Sequence, residues 1–140
     1  MKKLLIGVLL ILMSGCDLLS DSHSELSTSL ELQNETIERL RDIEASFEIL
    51  NNTGKKISFE FPSSCQFGFV ISKGEEVIFD SSQEQACLTV VTSLDIKNGS
   101  RKVFEIDIPF QDELEPGTYE ISAFLLEGYA DPVSKTFTVD

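Results

Sequence analysis

The sequence predicts an all-β protein: an immunoglobulin-like antiparallel β-sandwich of seven to eight strands with Greek-key connections, with a small β-barrel as the alternative. Three observations carry this. Apolar residues recur at every second position in short runs from about residue 43 to the C-terminus. Gly, Pro and Asn clusters punctuate those runs at regular spacing, and helical periodicity is confined to one short stretch. The chain has 140 residues, 41% of them hydrophobic, enough for one domain with a core and too few for two.

Glu35 to Leu50 reads two ways. Ile37, Leu40, Ile43, Phe47 and Leu50 recur at helical spacings, whereas Ile43, Ala45, Phe47 and Ile49 alternate as in a strand facing a core. The segment divides into a short helical or irregular stretch to about Arg41 and a strand from Asp42 to Leu50. Asn51-Asn52-Thr53-Gly54 supplies a turn. Ile57, Phe59 and Phe61 share the next face, ended by Pro62. Phe67, Phe69 and Ile71 follow, closed by the Lys73-Gly74 turn, then Val77 and Phe79 before a polar loop at Ser81 to Gln85. Cys87 to Ile96 is a longer apolar-rich stretch, two short strands or one bent strand, ended by Asn98-Gly99. Phe104, Ile106 and Ile108 alternate up to Pro109; Tyr119, Ile121, Ala123 and Leu125 alternate after Pro116-Gly117; Val133, Lys135, Phe137 and Val139 finish the chain. Leu114-Glu115-Pro116-Gly117-Thr118-Tyr119 has the form of a tyrosine corner, in which the Tyr119 hydroxyl ties back to upstream backbone.

The N-terminus reads as an address. Lys2 and Lys3 form a positive region and Leu4 to Met13 an apolar run of ten residues. Ten helical residues rise about 15 Å, half of a bilayer's hydrocarbon thickness, so the run is a signal-peptide core rather than a membrane span. Met13-Ser14-Gly15-Cys16 resembles a lipobox, the site where a bacterial signal peptidase cuts before a lipid-modified cysteine. The expected organisation is a lipoprotein signal peptide over 1–15, a lipid-anchored flexible tether over 16–41 and the sandwich domain over 42–140. Acyl chains on Cys16 would hold the protein to the membrane of the bacterial cell envelope, facing the periplasm or the exterior. Asp17 resembles an inner-membrane retention signal, although the choice between inner and outer membrane stays open. With Cys16 set aside, Cys65 and Cys87 are an even pair in an oxidising compartment, and a structural disulfide between them is expected.

The chemical inventory is sparse. The formal charge is −13, from 11 Lys and Arg against 24 Asp and Glu, and it excludes the basic stripe that nucleic acid requires. The one histidine, His23, lies in the expected tether, which leaves nucleophilic triads without a base. No glycine-rich phosphate loop, Cys-x-x-Cys or His-x-x-x-His spacing occurs. The carboxylates of Glu75 and Glu76, and of Asp112, Glu113 and Glu115, lack the Asp/Asn/Gly alternation of a calcium loop. The expectation is therefore a protein that is not an enzyme and that binds neither cofactor nor metal.

Phe61-Pro62-Ser63-Ser64-Cys65-Gln66-Phe67-Gly68-Phe69-Val70-Ile71 enters a strand, followed by Gly74-Glu75-Glu76-Val77-Ile78-Phe79-Asp80-Ser81 and by the Leu114-to-Tyr119 turn. In this order and spacing, from about Ile43 to Leu126, the chain resembles the BsuPI-like family of intracellular proteinase inhibitors and its exported lipoprotein relatives. The resemblance implies an immunoglobulin-like sandwich and, for the founding type, inhibition of a subtilisin-like serine proteinase in the cytoplasm. This chain departs from the family pattern in carrying Ile78-Phe79 where a tryptophan is frequent, and it has no Trp at all. Two functions follow. The first is a membrane-anchored envelope lipoprotein acting as a non-catalytic protein-binding module; the alternative is an inhibitor of a subtilisin-like serine proteinase. For either, the expected partner is a protein, and the partner-facing surface is placed at Ser81, Ser82, Gln83, Glu84 and Gln85, within the Cys65–Cys87 region.

Overall fold

Strict alternation decides the architecture wherever one face of a strand must be dry. A computed structural model describes residues 26–108 and 113–140, and within them ten strands form. They are β1 (Leu26–Leu32), β2 (Thr36–Ile37), β3 (Ala45–Asn51), β4 (Ile57–Phe61), β5 (Phe67–Lys73), β6 (Glu76–Asp80), β7 (Thr92–Ile96), β8 (Arg101–Ile106), β9 (Gly117–Leu125) and β10 (Val133–Val139). A three-stranded sheet runs β1-β3-β8, a five-stranded sheet runs β2-β10-β9-β5-β6, and β4 and β7 form a ladder of their own. Every ladder is antiparallel except the short β2–β10 pair. None of the sheets among the described residues closes into a barrel, and the fold is an all-β sandwich.

The core lies between the two larger sheets. In β3 the odd-numbered residues from Ala45 to Asn51 are buried, and in β9 Tyr119, Ile121, Ala123 and Leu125 are. Leu30 faces Phe47 across one ladder, and Phe47 faces Phe104 across the next. Phe69, Ile71, Ile121 and Phe137 supply the opposing layer, all at most 2% exposed. The Lys73-Gly74 turn requires a positive φ, and Gly74 adopts +61°, which a side chain with a Cβ resists. At the Leu114-to-Tyr119 turn the Tyr119 hydroxyl donates to the Glu115 carbonyl at 2.7 Å, and its ring stacks on Phe137 at 5.6 Å.

Three expectations are corrected. The flexible tether was to run to residue 41, yet residues 26–32 form β1 along β3, with Leu30 only 1% exposed. Ser and Thr at the intervening positions give this strand the composition of a linker; pairing with β3 supplies what composition conceals. The stretch from Glu35 to Arg41 is short and irregular to helical as expected, holding β2 and the start of a 3-10 turn, Leu40–Asp42, with Ile37 and Leu40 buried, but the strand after it starts at Ala45 rather than Asp42. Cys87 to Ile96 is a strand only over Thr92–Ile96, and the residues before it form a loop. The expected signal peptide, the expected acylation site Cys16, His23 and Asp112 lie outside the described residues.

Asn51 is the one amide side chain in the core among the described residues, at 0% exposure. Its Nδ2 donates to the Lys55 and Ile96 carbonyls, both at 2.8 Å, and its Oδ1 accepts from the Thr53 amide at 3.0 Å and hydroxyl at 2.7 Å. The side chain thus welds the turn after β3 to the end of β7. Replacing it with leucine removes the amide partner of the buried Ile96 carbonyl and the acceptor of the Thr53 amide, and Asn51→Leu is expected to destabilise by about 2 kcal/mol in urea titration. A value within about 0.5 kcal/mol of wild type would show that the weld contributes nothing net.

Candidate functional site

Strand register explains why two cysteines 22 residues apart meet. Phe61 at the end of β4 lies opposite Thr92 at the start of β7. The chain leaving β4 and the chain approaching β7 therefore run side by side, which brings Cys65 and Cys87 to a Cα–Cα distance of 5.4 Å, joined by a disulfide. The expected staple is present.

Around it the two segments are sewn together. The Ser64 amide donates to the Leu88 carbonyl at 3.0 Å, and the Leu88 amide donates to Ser64 Oγ at 2.8 Å. The Thr92 hydroxyl donates to the Ser63 carbonyl at 2.6 Å, and Gln66 Nε2 donates to Thr92 Oγ1 at 3.2 Å. The Val90 amide closes back on the Leu88 carbonyl at 2.9 Å. What this frame presents to solvent is apolar: Leu88 is 70% exposed, Val90 50% and Val91 64%. These are half of the exposed large hydrophobics among the described residues, gathered in four consecutive positions. Beside the staple lies a depression of about 310 Å³ lined by Ser64, Cys65, Gln66, Phe67, Gln85 and Phe104.

The five residues expected to face a partner divide. Ser81–Glu84 is a single helical turn rather than an open loop. Ser81 is 1% exposed, and its Oγ accepts the Phe69 amide proton at 2.8 Å, so it anchors the turn to β5 and contacts no partner; the expectation is corrected there. Gly68 makes this approach feasible, since a Cβ on it would lie 2.9 Å from the Phe124 ring and 3.3 Å from Ser81 Oγ. Ser82, Gln83 and Glu84 are exposed and Gln85 is half-buried at the rim of the depression. Sequence reasoning missed Leu88, Val90 and Val91 because a cysteine-led apolar run reads as a buried strand. The one available signal was that this run does not alternate.

Asp80 caps the helical turn. Its Oδ1 accepts the Ser82 hydroxyl at 2.7 Å and the Ser82 amide at 2.9 Å, and these bonds, the hydroxyl first, hold its carboxyl below the usual aspartate range. A depressed folded-state pKa stabilises above the unfolded value near 4, and that stability is lost as pH falls through the folded value. Asp80→Ala is accordingly expected to cost about 1 kcal/mol at pH 7, with the gap to wild type closing at pH 3 or below. Denaturant titrations of both proteins at the two pH values check this; a gap unchanged by acid rules out the ionised cap. Asp95 is also held down, by Lys56 first and then by the Ser58 hydroxyl, on the exposed face of the β4–β7 ladder.

Among the described residues, no group of three or more His, Cys, Asp or Glu side chains is placed to hold a metal ion. No helix of the described residues is long and apolar enough to cross a membrane.

The fold is similar to part of a β-glucosidase from Erythrobacter marinus, at 14% identity and a TM-score of 0.48. The likeness covers 82% of this chain and 16% of that one, so the chain spans about a sixth of that protein's length, and nothing about activity is drawn from it. No curated protein matches the sequence. The family model described as BsuPI, intracellular proteinase inhibitor, matches residues 27–128. That span runs from the second residue of β1 through β9 and the 3-10 turn Leu126–Gly128, taking in the whole stapled region. The chain therefore belongs to the BsuPI family of intracellular proteinase inhibitors.

Proposed function

We propose that this protein inhibits a serine endoproteinase and is held at the bacterial cell envelope by lipid on Cys16. The observation that carries the first half is the family match over residues 27–128, taken with a stapled loop that presents exposed apolar side chains. An inhibitor differs from a substrate in the ordering cost of binding: a loop already fixed by a disulfide and by bonds to Ser63 and Ser64 loses little freedom when it docks. The family match also favours the inhibitor over a generic protein-binding module. The lipid anchor rests on the residue pattern from Lys2 to Cys16 alone.

Titrating the full-length chain, in detergent, against subtilisin-type, chymotrypsin-type and trypsin-type proteinases tests the first half. Saturable inhibition at near-stoichiometric ratio, with the chain intact by mass spectrometry, is the expected result. Absence of inhibition across the panel rejects it. Mass spectrometry of the mature N-terminus tests the anchor: acyl mass on Cys16 is expected, and an unmodified thiol there rejects envelope attachment by this route.

A further inference from the structure

We propose that Leu88, followed by Val90 and Val91, fills the apolar subsites of the proteinase cleft while the Leu88 carbonyl is withheld from the enzyme's nucleophile. This rests on the inhibitor reading above and adds to it the residues and the manner of binding.

Leu88 is the most exposed large hydrophobic among the described residues, directly after the stapled Cys87. A side chain so placed gains most from burial in an apolar pocket, since most of it stands in solvent. Its backbone, by contrast, is fully committed. The Leu88 amide donates to Ser64 Oγ, and the Leu88 carbonyl accepts both the Ser64 and the Val90 amides, at 3.0 and 2.9 Å.

A serine proteinase cleaves only where the scissile carbonyl oxygen enters its oxyanion hole, in hydrogen-bond contact with donors of the enzyme. Here that oxygen is already held by two donors of the chain itself, on the side facing Ser64. Presenting it would require breaking both bonds against a disulfide one residue away. Thr89 and Val91 are different: among the described residues none hydrogen-bonds to their backbone groups. Those groups are free to pair with the extended substrate-binding strand of an enzyme, in the manner of an added β-strand. The loop thus offers side chain and flanking backbone, and keeps back the bond that would be cut. The partner that fits is an endoproteinase with an apolar primary pocket. One with an acidic pocket would leave its carboxylate facing Leu88 unpaired.

The test uses the full-length chain and its Leu88→Asp, Leu88→Arg and Val103→Asp variants. Val103 is exposed on β8, outside the loop, and serves as the control. Against a subtilisin-type or chymotrypsin-type enzyme, Leu88→Asp is expected to weaken inhibition about 100-fold, because a carboxylate cannot enter an apolar pocket. Val103→Asp should stay within about threefold of wild type, a surface change away from the contact. Leu88→Arg should acquire inhibition of a trypsin-type enzyme. Both Leu88 variants should keep the wild-type urea midpoint, since the side chain makes no core contact. Prolonged incubation should leave the Leu88–Thr89 bond of the wild type intact. Wild-type inhibition that survives Leu88→Asp within threefold overturns the assignment while leaving the inhibitor reading standing. So does early cleavage at Leu88–Thr89. A wild type that inhibits no enzyme of the panel removes both.

Discussion

Phe47→Ala is expected to lower the free energy of unfolding by about 3–5 kcal/mol, the range for emptying a fully buried aromatic site. Phe47 has 0% exposure and sits at the middle of β3, between Leu30 on β1 and Phe104 on β8. Its ring lies 6.4 Å from that of Phe67 and 6.2 Å from that of Phe104, which in turn lie 4.6 Å apart. The truncation therefore removes apolar area and leaves a void that three sheet-bound neighbours cannot fill. Backbone ladders on both sides of β3 prevent the collapse that a loop would allow. Set against a net stability of about 5–15 kcal/mol for an ordinary domain, the loss is a large fraction of the whole. Urea titration of Phe47→Ala beside Phe47→Leu provides the check, the leucine variant losing no more than about half as much. Equal and small losses in both would mean that β3 does not sit at the centre of the sandwich.

Removing the disulfide is expected to cost about 3 kcal/mol, the chain-entropy value for closing a loop of this length. Cys65 and Cys87 are 22 residues apart, and the segment they close contains β5, β6 and the helical turn. The unfolded chain gains the freedom of that segment when the bond is absent. The native frame keeps the Ser64–Leu88 pair and the Thr92–Ser63 bond, so the sandwich survives but the exposed loop is held by hydrogen bonds alone. The Cys65→Ser/Cys87→Ser double variant should unfold at a lower urea concentration, and dithiothreitol should bring the wild type to the same midpoint without moving the variant. A wild type indifferent to the reductant refutes the stabilising role. Inhibition should fall with the staple as well, since the docking loop then carries an ordering cost of its own.

The residues that gave the alternating pattern explain how much of this molecule could be read early. Phe59, Phe69, Ile71, Ile106, Ile121 and Phe137 sit in strands at the parity that their sequence spacing implies, because a one-residue slip would turn each of them into water. The Cys65–Cys87 pair was legible from cysteine parity and the expected compartment, and it is bonded. The N-terminal strand was not. Leu26, Thr28 and Leu30 alternate with serines, and such a stretch is a strand only when β3 lies beside it to accept its backbone bonds.

By itself the sequence determined the all-β class, most strand positions and the disulfide, since each follows from local periodicity or from cysteine count. Only the tertiary structure decided that Ser81 is an internal anchor, that Asn51 welds β3 to β7, and that Leu88, Val90 and Val91 stand outside. Those outcomes depend on what each residue meets from elsewhere in the chain: the Phe69 amide at Ser81 Oγ, the Ile96 carbonyl at the Asn51 amide, and Ser64 gripping the backbone of Leu88 while its side chain is left in water. Burial and hydrogen-bond partners are properties of pairs distant in sequence, and no window along the chain contains both members.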